Sequence, residues 1–404
     1  MPMVGRLPDW QAGVVRVLIA PDGFGGTLTP AAAAAAMADG WARVAPADAL
    51  DLAPLSDGGP GLLDVLSAAL PDAVLVAVPV EDPLARPVDA AFLLDGRTAY
   101  VEAAAACGLH LLRTGGRGVD GPGVDGPGVD GPGVDERDPT TTTTYGVGQL
   151  VRAALDAGAT RVVVGLGGSG TNDGGAGLLA ALGVVRTGPA GERLVPGGLA
   201  LRGVARLEGW PDLTGLELVA ATDVDAPLLG LRGASAVYGP QKGATREQVA
   251  LLDGALTRWA DVLEAHAGRA VRDLPGAGAA GGLGAALLAL GARREPGLAL
   301  VRQLVGLEPR LARADLVLTG EGTFDATSLT GKVVSGVAAL AAEHALPCVV
   351  LAGQVRVGRR EAAAHGIEAE YAVTDLVGLE RSLADPAASL SELASRVAQQ
   401  WSRA

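Results

Sequence analysis

Strand patterns and helix patterns alternate at the start of this chain, and the loops that follow the strands carry Asp and Gly. An apolar run at about 14–20 leads to Asp22, and an Ala-rich helix pattern covers about 30–44. A second strand pattern at about 50–55 leads to Asp57, and another helix pattern comes next. This order predicts a parallel sheet with helices on both faces, in which ligands bind beyond the carboxyl ends of the strands.

The same order returns towards the other end of the chain. A strand pattern at about 315–319 leads to Glu321, and a helix pattern follows at about 333–344. A second buried strand pattern lies at about 347–352. The two ends of the chain therefore predict parts of one doubly wound domain.

The middle of the chain indicates a second α/β domain. We expect residues 79–289 to form it, inserted between residues 1–78 and 290–404 of the first domain. A Gly-Val-Asp-Gly-Pro repeat at 118–135 contains few residues that could bury a core. We expect a solvated, disordered loop there.

The charge balance argues against a nucleic-acid binder. The chain has 32 Lys and Arg against 45 Asp and Glu, a net charge of −13, and only 3% aromatic residues. Such a composition offers no basic footprint for a phosphate backbone. Cys107 and Cys348 lie far apart and the four histidines form no cluster in the sequence, so a structural zinc site is not expected.

The sequence favours a cytoplasmic protein without a membrane segment. Residues 1–13 contain no apolar core of a secretory signal. The uncharged stretch 274–292 is long enough to cross a bilayer, but it is rich in Gly and begins Leu-Pro-Gly. We interpret it as a glycine-rich loop that enters a buried Ala/Leu helix.

A glycine-rich segment at 165–175 follows a strand pattern at 161–165 and opens a helix pattern. Backbone N–H groups at such a place suit a phosphate or a carboxylate. Side chains that form hydrogen bonds are more frequent here than a tight turn needs: Ser169, Thr171, Asn172 and Asp173.

The same segment fits the dinucleotide fingerprint G-x-G-x-x-G, which leaves a nicotinamide-dependent oxidoreductase as one alternative. That fingerprint requires an acidic residue at the end of the next strand, which we place at about 182–185. Arg186 follows that strand pattern instead. A single match to the fingerprint is weak evidence.

Acidic residues recur at strand ends or in the loops that follow them, at Asp22, Asp57, Asp173, Asp223 and Glu321. Phosphoryl transfer uses carboxylates for Mg²⁺ and cations or amides for the phosphates. A P-loop is excluded because Ala326 stands where Gly331-Lys332 would require a glycine. The hydrolase pattern G-x-S-x-G is excluded because Thr171 follows Ser169-Gly170.

The basic residues are almost all Arg, and the two lysines both lie beside glycine. Lys242 is followed by Gly243, and Lys332 is preceded by Gly331. A compact ammonium makes a point-charge contact that a planar guanidinium does not reproduce. We expect phosphate or carboxylate contacts from both lysines.

Several of these segments together resemble the bacterial glycerate kinase family. They are Asp57-Gly58-Gly59, the run from Gly167 to Gly177, Thr222-Asp223-Val224-Asp225, the run from Gly239 to Ala244, the run from Gly276 to Gly284, and Thr319-Gly320-Glu321-Gly322. The resemblance implies ATP-dependent phosphorylation of glycerate, with 2-phosphoglycerate the frequent product. It also implies a flavodoxin-like doubly wound parallel-sheet domain with a second α/β domain inserted into it.

The chain departs from the family pattern at three loop positions. Gly25 stands where the family usually has Lys, Pro60 where it has Glu, and Thr323 where it has Arg. Each lost cation could cost a few kcal/mol of transition-state stabilisation if it contacted phosphate. These departures leave open a kinase for a different small hydroxy acid, or a catalytically weak or inactive homologue that binds a carboxylate or a nucleotide.

From this resemblance we expect MgATP and a small hydroxy acid as ligands. Asp173, Asp223 and Lys242 are the expected catalytic residues, and Asp173 and Asp223 the expected metal ligands. Substrate or phosphate contacts are expected from Asp22, Asp57, Gly58, Gly59, Gly168, Ser169, Thr171, Asn172, Glu321, Asp325 and Lys332. The sequence leaves the assembly state open, with a homodimer as one option.

Overall fold

The computed structural model describes residues 14–113, 135–329 and 331–402. Within these residues the chain forms two compact units. Unit 1 runs to Ser56, includes Asp64–Ala69 and resumes at Leu298, whereas unit 2 takes Asp57–Leu63 and Leu70–Gly297. The expected repeat loop at 118–135 lies outside the described residues except for Asp135.

Strands and helices alternate through most of the described chain. The strands are β1 Arg16–Ile19, β2 Ala49–Leu52, β3 Val74–Glu81, β4 Pro87–Asp95, β5 Thr98–Glu102, β6 Arg161–Gly165, β7 Val185–Thr187, β8 Arg206–Glu208, β9 Glu217–Ala221, β10 Arg293–Glu295, β11 Leu316–Thr319, β12 Thr323–Phe324, β13 Cys348–Ala352, β14 Gln354–Val355 and β15 Ala369–Ala372. The helices are α1 Pro30–Val44, α2 Leu62–Ala69, α3 Ala104–Cys107, α4 Tyr145–Asp156, α5 Ala176–Ala181, α6 Ala234–Tyr238, α7 Arg246–Ala267, α8 Ala279–Ala289, α9 Gly297–Val305, α10 Leu307–Leu311, α11 Val333–Glu343, α12 Arg359–Ala364, α13 Val373–Val377, α14 Leu379–Ala384 and α15 Pro386–Trp401.

Unit 1 contains a five-stranded parallel sheet. Its strand order is β15-β13-β11-β1-β2, and every neighbouring pair is parallel. Numbered along the chain, the five strands follow the flavodoxin order 2-1-3-4-5. The doubly wound parallel sheet expected from the two ends of the chain is confirmed, and its topological switch point lies between β1 and β11.

Helix α1 shows how the local sequence sets an element of unit 1. Thr29 is the N-cap, where its side chain accepts a hydrogen bond from the Ala32 N–H (3.2 Å), and Pro30 occupies the first turn. Along its buried face, Gly40 lies so close to the carbonyl of Ser391 in α15 that no side chain would fit. The small residues of α1 therefore bring it directly against α15.

Unit 2 contains a six-stranded mixed sheet in the order β10-β9-β6-β5-β4-β3. Strand β4 runs antiparallel to β3 and β5, and the other pairs are parallel. The register pairs Glu102 with Gly165, Gly165 with Ala221, and Ala221 with Glu295. The loops that follow these four strands consequently start at one edge of the sheet.

The predicted strand at 182–185 is wrong. Leu182 is the C-cap of α5, with its N–H donating to the Leu178 carbonyl (3.1 Å), and Gly183 turns the chain at a φ of 99°. The strand begins later, as β7, and pairs antiparallel with β8 in a separate small sheet. A dinucleotide fold would need this strand in the main parallel sheet, so the oxidoreductase alternative loses its structural basis.

The uncharged stretch at 274–292 forms the buried helix that the sequence predicts. Every residue of α8 is buried. Among the described residues, none of the helices combines the length and the apolar character that crossing a bilayer requires.

One alanine in unit 1 adopts a backbone conformation that favours glycine. Ala345 follows the end of α11 with a φ of 54°, and its side chain is exposed. We expect Ala345→Gly to raise the free energy of unfolding by about 1 kcal/mol, because glycine adopts this conformation without steric cost. Urea unfolding followed by circular dichroism measures the change.

The matched control makes the same replacement at Ala339, an exposed position inside α11. There we expect a loss of about 1 kcal/mol, because glycine weakens a helix interior. Shifts of the same sign in both variants would contradict the assignment of strain to Ala345.

Candidate active site

The glycine-rich segment between β6 and α5, residues 166–175, is the centre of the candidate site in unit 2; we call it the glycine loop. Its start lies against Gly58 and Gly59, and the Gly167 N–H donates to the Gly58 carbonyl (3.3 Å). A Cβ on Gly165 or Gly167 would overlap the backbone of Gly58 or Gly59. Glycine is required at these positions because two backbones approach each other directly.

The end of the glycine loop lies against the start of α8. The Gly174 N–H donates to the Gly281 carbonyl (3.0 Å), and a Cβ on Gly281 would overlap the Thr171 carbonyl. Three successive residues there have positive φ, namely Ala280 (50°), Gly281 (67°) and Gly282 (90°). The second glycine-rich segment of the sequence thus packs on the first.

Asp173 holds the glycine loop to the segment before α4. The residue is fully buried. Its Oδ1 accepts hydrogen bonds from the Thr144 hydroxyl and the Gly175 N–H (both 3.0 Å), and its Oδ2 accepts from the N–H groups of Thr144 and Gly177 (both 2.9 Å). Both carboxylate oxygens are engaged within the protein, which is a positioning geometry. The catalytic and metal-binding roles expected of Asp173 stay predictions.

Lys242 lies beneath the glycine loop and contacts it directly. Its side chain is 1% exposed, and Nζ donates to the Ser169 hydroxyl (2.9 Å) and the Thr171 carbonyl (2.7 Å). Burial lowers the pKa of Lys242 to about 8, and the charge of Asp173 partly offsets this effect. Burial raises the pKa of Cys107 to about 12, so that thiol is neutral beside the lysine. The phosphate contact expected of Lys242 stays a prediction.

The remaining residues of the glycine loop differ in exposure. Gly168 is exposed, with a φ of 67°, and its carbonyl accepts a hydrogen bond from the Leu109 N–H (2.9 Å). Ser169 is 6% exposed, and Thr171 and Asn172 are fully buried. The Asn172 amide donates to the Ser235 hydroxyl (3.0 Å). The backbone at Gly168 is therefore the accessible part of the loop. The polar side chains of Ser169, Thr171 and Asn172 lie on its buried side.

Two of the carboxylates that the sequence singles out in unit 2, Asp57 and Asp223, are partly exposed near this edge of the sheet. Asp57 accepts a hydrogen bond from the Gly59 N–H (3.0 Å), and Asp223 follows β9. Among the described residues, no three His, Cys, Asp or Glu side chains come together as a metal site. Magnesium bound with a nucleotide needs only one or two protein carboxylates. The side chain of Asp223 is partly exposed, whereas that of Asp173 is fully buried.

The other expected site residues lie in unit 1, at the carboxyl ends of its strands. The Asp22 N–H donates to the Gly320 carbonyl (2.8 Å), which joins the loops after β1 and β11. Glu321 is 9% exposed. Hydrogen bonds from Thr327 hold the pKa of Asp325 below its usual range, and Lys332 Nζ lies 3.5 Å from the Thr327 hydroxyl.

Sequence reasoning missed the threonines that bind Asp173. Thr143 and Thr144 are buried, and both hydroxyls donate to the Asp173 carboxylate. The signal was present as five consecutive threonines at 140–144 directly before a helix pattern. That signal indicated only a helix start, since nothing local connects it to a residue about thirty positions away.

The comparisons with known proteins agree with these segments. The sequence pattern of the Glycerate kinase family matches residues 17–402. The chain belongs to this family. It is 38% identical to a glycerate kinase of Halalkalibacterium halodurans, covering 95% of this chain and 97% of that protein. It is 36% identical to a glycerate 2-kinase of Escherichia coli, covering 90% of this chain and 92% of that protein.

A solved structure of the glycerate kinase family is similar as well. The crystal structure of a putative glycerate kinase 2 from Salmonella typhimurium LT2 superimposes with a TM-score of 0.74 at 37% identity. The match covers 96% of this chain and 98% of that one. The family membership and the two-domain α/β fold that the sequence predicts are thereby confirmed.

We expect Asp173→Asn to lower the free energy of unfolding by about 3 kcal/mol. The amide would turn an N–H group towards donors that now meet a carboxylate, and buried donors would lose their acceptor. Urea unfolding measures the loss. Asp212→Asn is the control, because Asp212 accepts a similar hydrogen bond from Thr214 on the surface, and we expect little change there. Unchanged stability with lost activity would instead favour a catalytic role for Asp173.

We expect the buried Lys242 to make the free energy of unfolding depend on pH. Its pKa is 10.5 in an ordinary environment and about 8 in the folded protein. Between these values the folded state binds fewer protons than the unfolded state, so the lysine's contribution to stability rises with pH. The neutral amine still has two N–H groups for its two acceptors.

The comparison is the free energy of unfolding of the wild type minus that of Lys242→Met, measured at pH 7 and at pH 10. We expect this difference to become more favourable to the wild type at pH 10. The upper limit is about 3 kcal/mol, since one pKa unit corresponds to about 1.4 kcal/mol. A difference that does not depend on pH would contradict the lowered pKa.

Proposed function

We propose that the protein transfers a phosphoryl group from ATP to a hydroxyl of glycerate, with 2-phosphoglycerate as the product. Family membership supports the reaction class, and the Escherichia coli relative, named glycerate 2-kinase, supports the position of transfer. The geometric observation that carries the proposal is the rigidly held glycine loop. Its backbone is accessible at Gly168, and the buried Lys242 donates hydrogen bonds to Ser169 and Thr171 of the same loop.

Enzymatic phosphoryl transfer depends on fixed donors and dipoles more than on covalent chemistry. Asp173 fixes the end of the glycine loop, and Lys242 fixes its middle. Gly58 approaches its start. A loop held from three sides loses little entropy when an anion binds to its N–H groups, which supports an anion subsite at this place.

Magnesium supplies charge neutralisation between phosphate oxygens when it is bound. Asp223 is our candidate protein ligand, because its side chain is partly exposed at the edge of the sheet. Asp57 lies at the same edge and is the second candidate. Either carboxylate would orient the bound ligand without forming an all-protein metal site.

The three departures from the family pattern favour a second candidate, a homologue that binds ligands but turns over slowly. The ring of Pro60 packs against Gly168, at a position where the family usually has Glu. Gly25 and Thr323 replace two cations. A shift in melting temperature on adding ATP or glycerate, without formation of ADP, would support this second candidate.

The test of the proposed function is ADP formation in a coupled assay with D-glycerate, ATP and Mg²⁺. Phosphorus NMR of the product distinguishes 2-phosphoglycerate from 3-phosphoglycerate. We expect the 2-isomer. Absence of turnover with glycerate and with other small hydroxy acids would overturn the proposal. The cytoplasmic location and the homodimer stay predictions.

The two lysines give a matched pair of variants. We expect Lys242→Arg to lower kcat/KM at least about tenfold, because a bulkier guanidinium in this closed space displaces the glycine loop. Lys332 is partly exposed, and its Nζ lies 3.5 Å from the Thr327 hydroxyl, so Lys332→Arg should stay within about threefold. Full activity in Lys242→Arg would contradict the role given to the buried ammonium.

A further inference from the structure

Unit 1 contains a cleft at the carboxyl ends of its parallel strands. It is lined by residues from the loops after β1, β11 and β13, among them Phe24, Gly25, Gly322, Thr323 and Gln354. Residues from α13, α14 and α15 complete the wall. Since β1 and β11 flank the topological switch point, the cleft occupies the place where doubly wound sheets bind ligands.

The three loops leave the cleft open because they are rich in glycine and make backbone contacts with one another. The Gln354 N–H donates to the Gly322 carbonyl (3.0 Å), and a Cβ on Gly322 would lie 3.0 Å from the backbone of Phe24 and Gly25. Gly25 has a φ of 53°, and a Cβ built on it meets no atom within 4 Å. The mouth of the cleft is thus built from backbone and is not filled by side chains.

Among the described residues, no charged side chain belongs to the lining of the cleft. Two of its residues, Gly25 and Thr323, stand at the positions where the family pattern has Lys and Arg. Asp22 and Glu321 precede two of the lining segments and add negative charge nearby. This charge distribution disfavours a small carboxylate or a phosphate in the cleft, and it accommodates an uncharged group.

The size and polarity of the cleft suit one ring system. Its volume is about 130 Å³, and a cavity of about 150 Å³ holds a benzene molecule. Phe24, Val373 and Leu383 give it an apolar wall. The Gln354 side chain already accepts a hydrogen bond from Arg356 (2.9 Å), which leaves its amide N–H groups as donors for a polar ring edge.

We propose that this cleft binds the uncharged nucleoside part of the phosphoryl donor. The proposal rests on the ATP-dependent reaction proposed above. It assigns the base or the ribose to unit 1 because of the position of the cleft in the fold, the residues that line it and the charge around it. Apolar rings with a few polar edges bind to clefts of this composition. Leu383, on the rim, becomes a residue that limits access for the donor.

The first test measures binding without catalysis. A non-hydrolysable ATP analogue is titrated into the full-length protein by isothermal calorimetry, in the absence of glycerate. We expect Leu383→Trp to weaken binding at least about tenfold, because the indole fills the cleft. Leu379→Trp is the control: it lies one turn earlier on α14, is exposed and lies outside the lining, and it should bind within about twofold of wild type.

A labelling experiment keeps the proposal testable if Leu383→Trp does not fold. Both native cysteines are buried, and burial raises the pKa of each to about 12, so they react slowly. Leu383→Cys should react with a maleimide, and the ATP analogue or adenosine should protect it. Leu379→Cys should react equally with and without nucleotide. Equal labelling of Leu383→Cys with and without nucleotide would overturn the proposal.

The double variant Gly25→Lys, Thr323→Arg distinguishes the nucleoside from the phosphates. If the nucleoside occupies the cleft, the added side chains should obstruct binding or leave it unchanged. Tighter binding of the ATP analogue, with no effect on adenosine, would instead place phosphates there and overturn the proposal. If the wild-type protein binds the analogue but transfers no phosphate, the proposed function is wrong and the assignment of the cleft is unaffected. If the wild-type protein binds no nucleotide, both are wrong.

Discussion

The glycine loop depends on direct contact between backbones. Gly165 and Gly167 meet the segment at Gly58 and Gly59, and Gly281 meets Thr171, at distances that exclude any Cβ. Interiors pack at nearly crystalline density, so one added methyl group in such a place forces the backbone apart. The glycine content of this chain is therefore a requirement of packing at these positions. Flexibility is not the reason for it, because hydrogen bonds hold the same residues in place.

Two buried charges complete this arrangement in different ways. The Asp173 carboxylate accepts hydrogen bonds from hydroxyl and N–H groups, and it also interacts electrostatically with Lys242 and Arg186. Lys242 donates to a hydroxyl and a carbonyl. A lysine reaches this point as a compact ammonium on a thin stem, whereas arginine needs room for a planar group. That difference gives a physical reason for one of the few lysines in an arginine-rich chain.

Local patterns in the sequence predicted the elements well where a cap or a strand run was present. Thr29-Pro30 marked the start of α1, and the run 161–165 marked β6 to the residue. The contacts of Asp173 with Thr144, and of Lys242 with Ser169, could not be predicted, because they join residues far apart in sequence. The position of Asp57 was also misleading: it follows β2 of unit 1 but groups with unit 2. A local sequence pattern carries no information about the unit against which a loop packs.

The strand order of unit 1 has a consequence for synthesis of the chain. Strand β1 pairs with β11, which emerges about 300 residues later, as the pairing of Val17 with Leu316 shows. Unit 2 emerges almost whole in between, and domains generally fold as units during translation. The apolar face of α1, with Met37 and Trp41, must wait for α15, which is made more than 300 residues later. Until α15 has emerged from the ribosome, this face of α1 needs protection from aggregation.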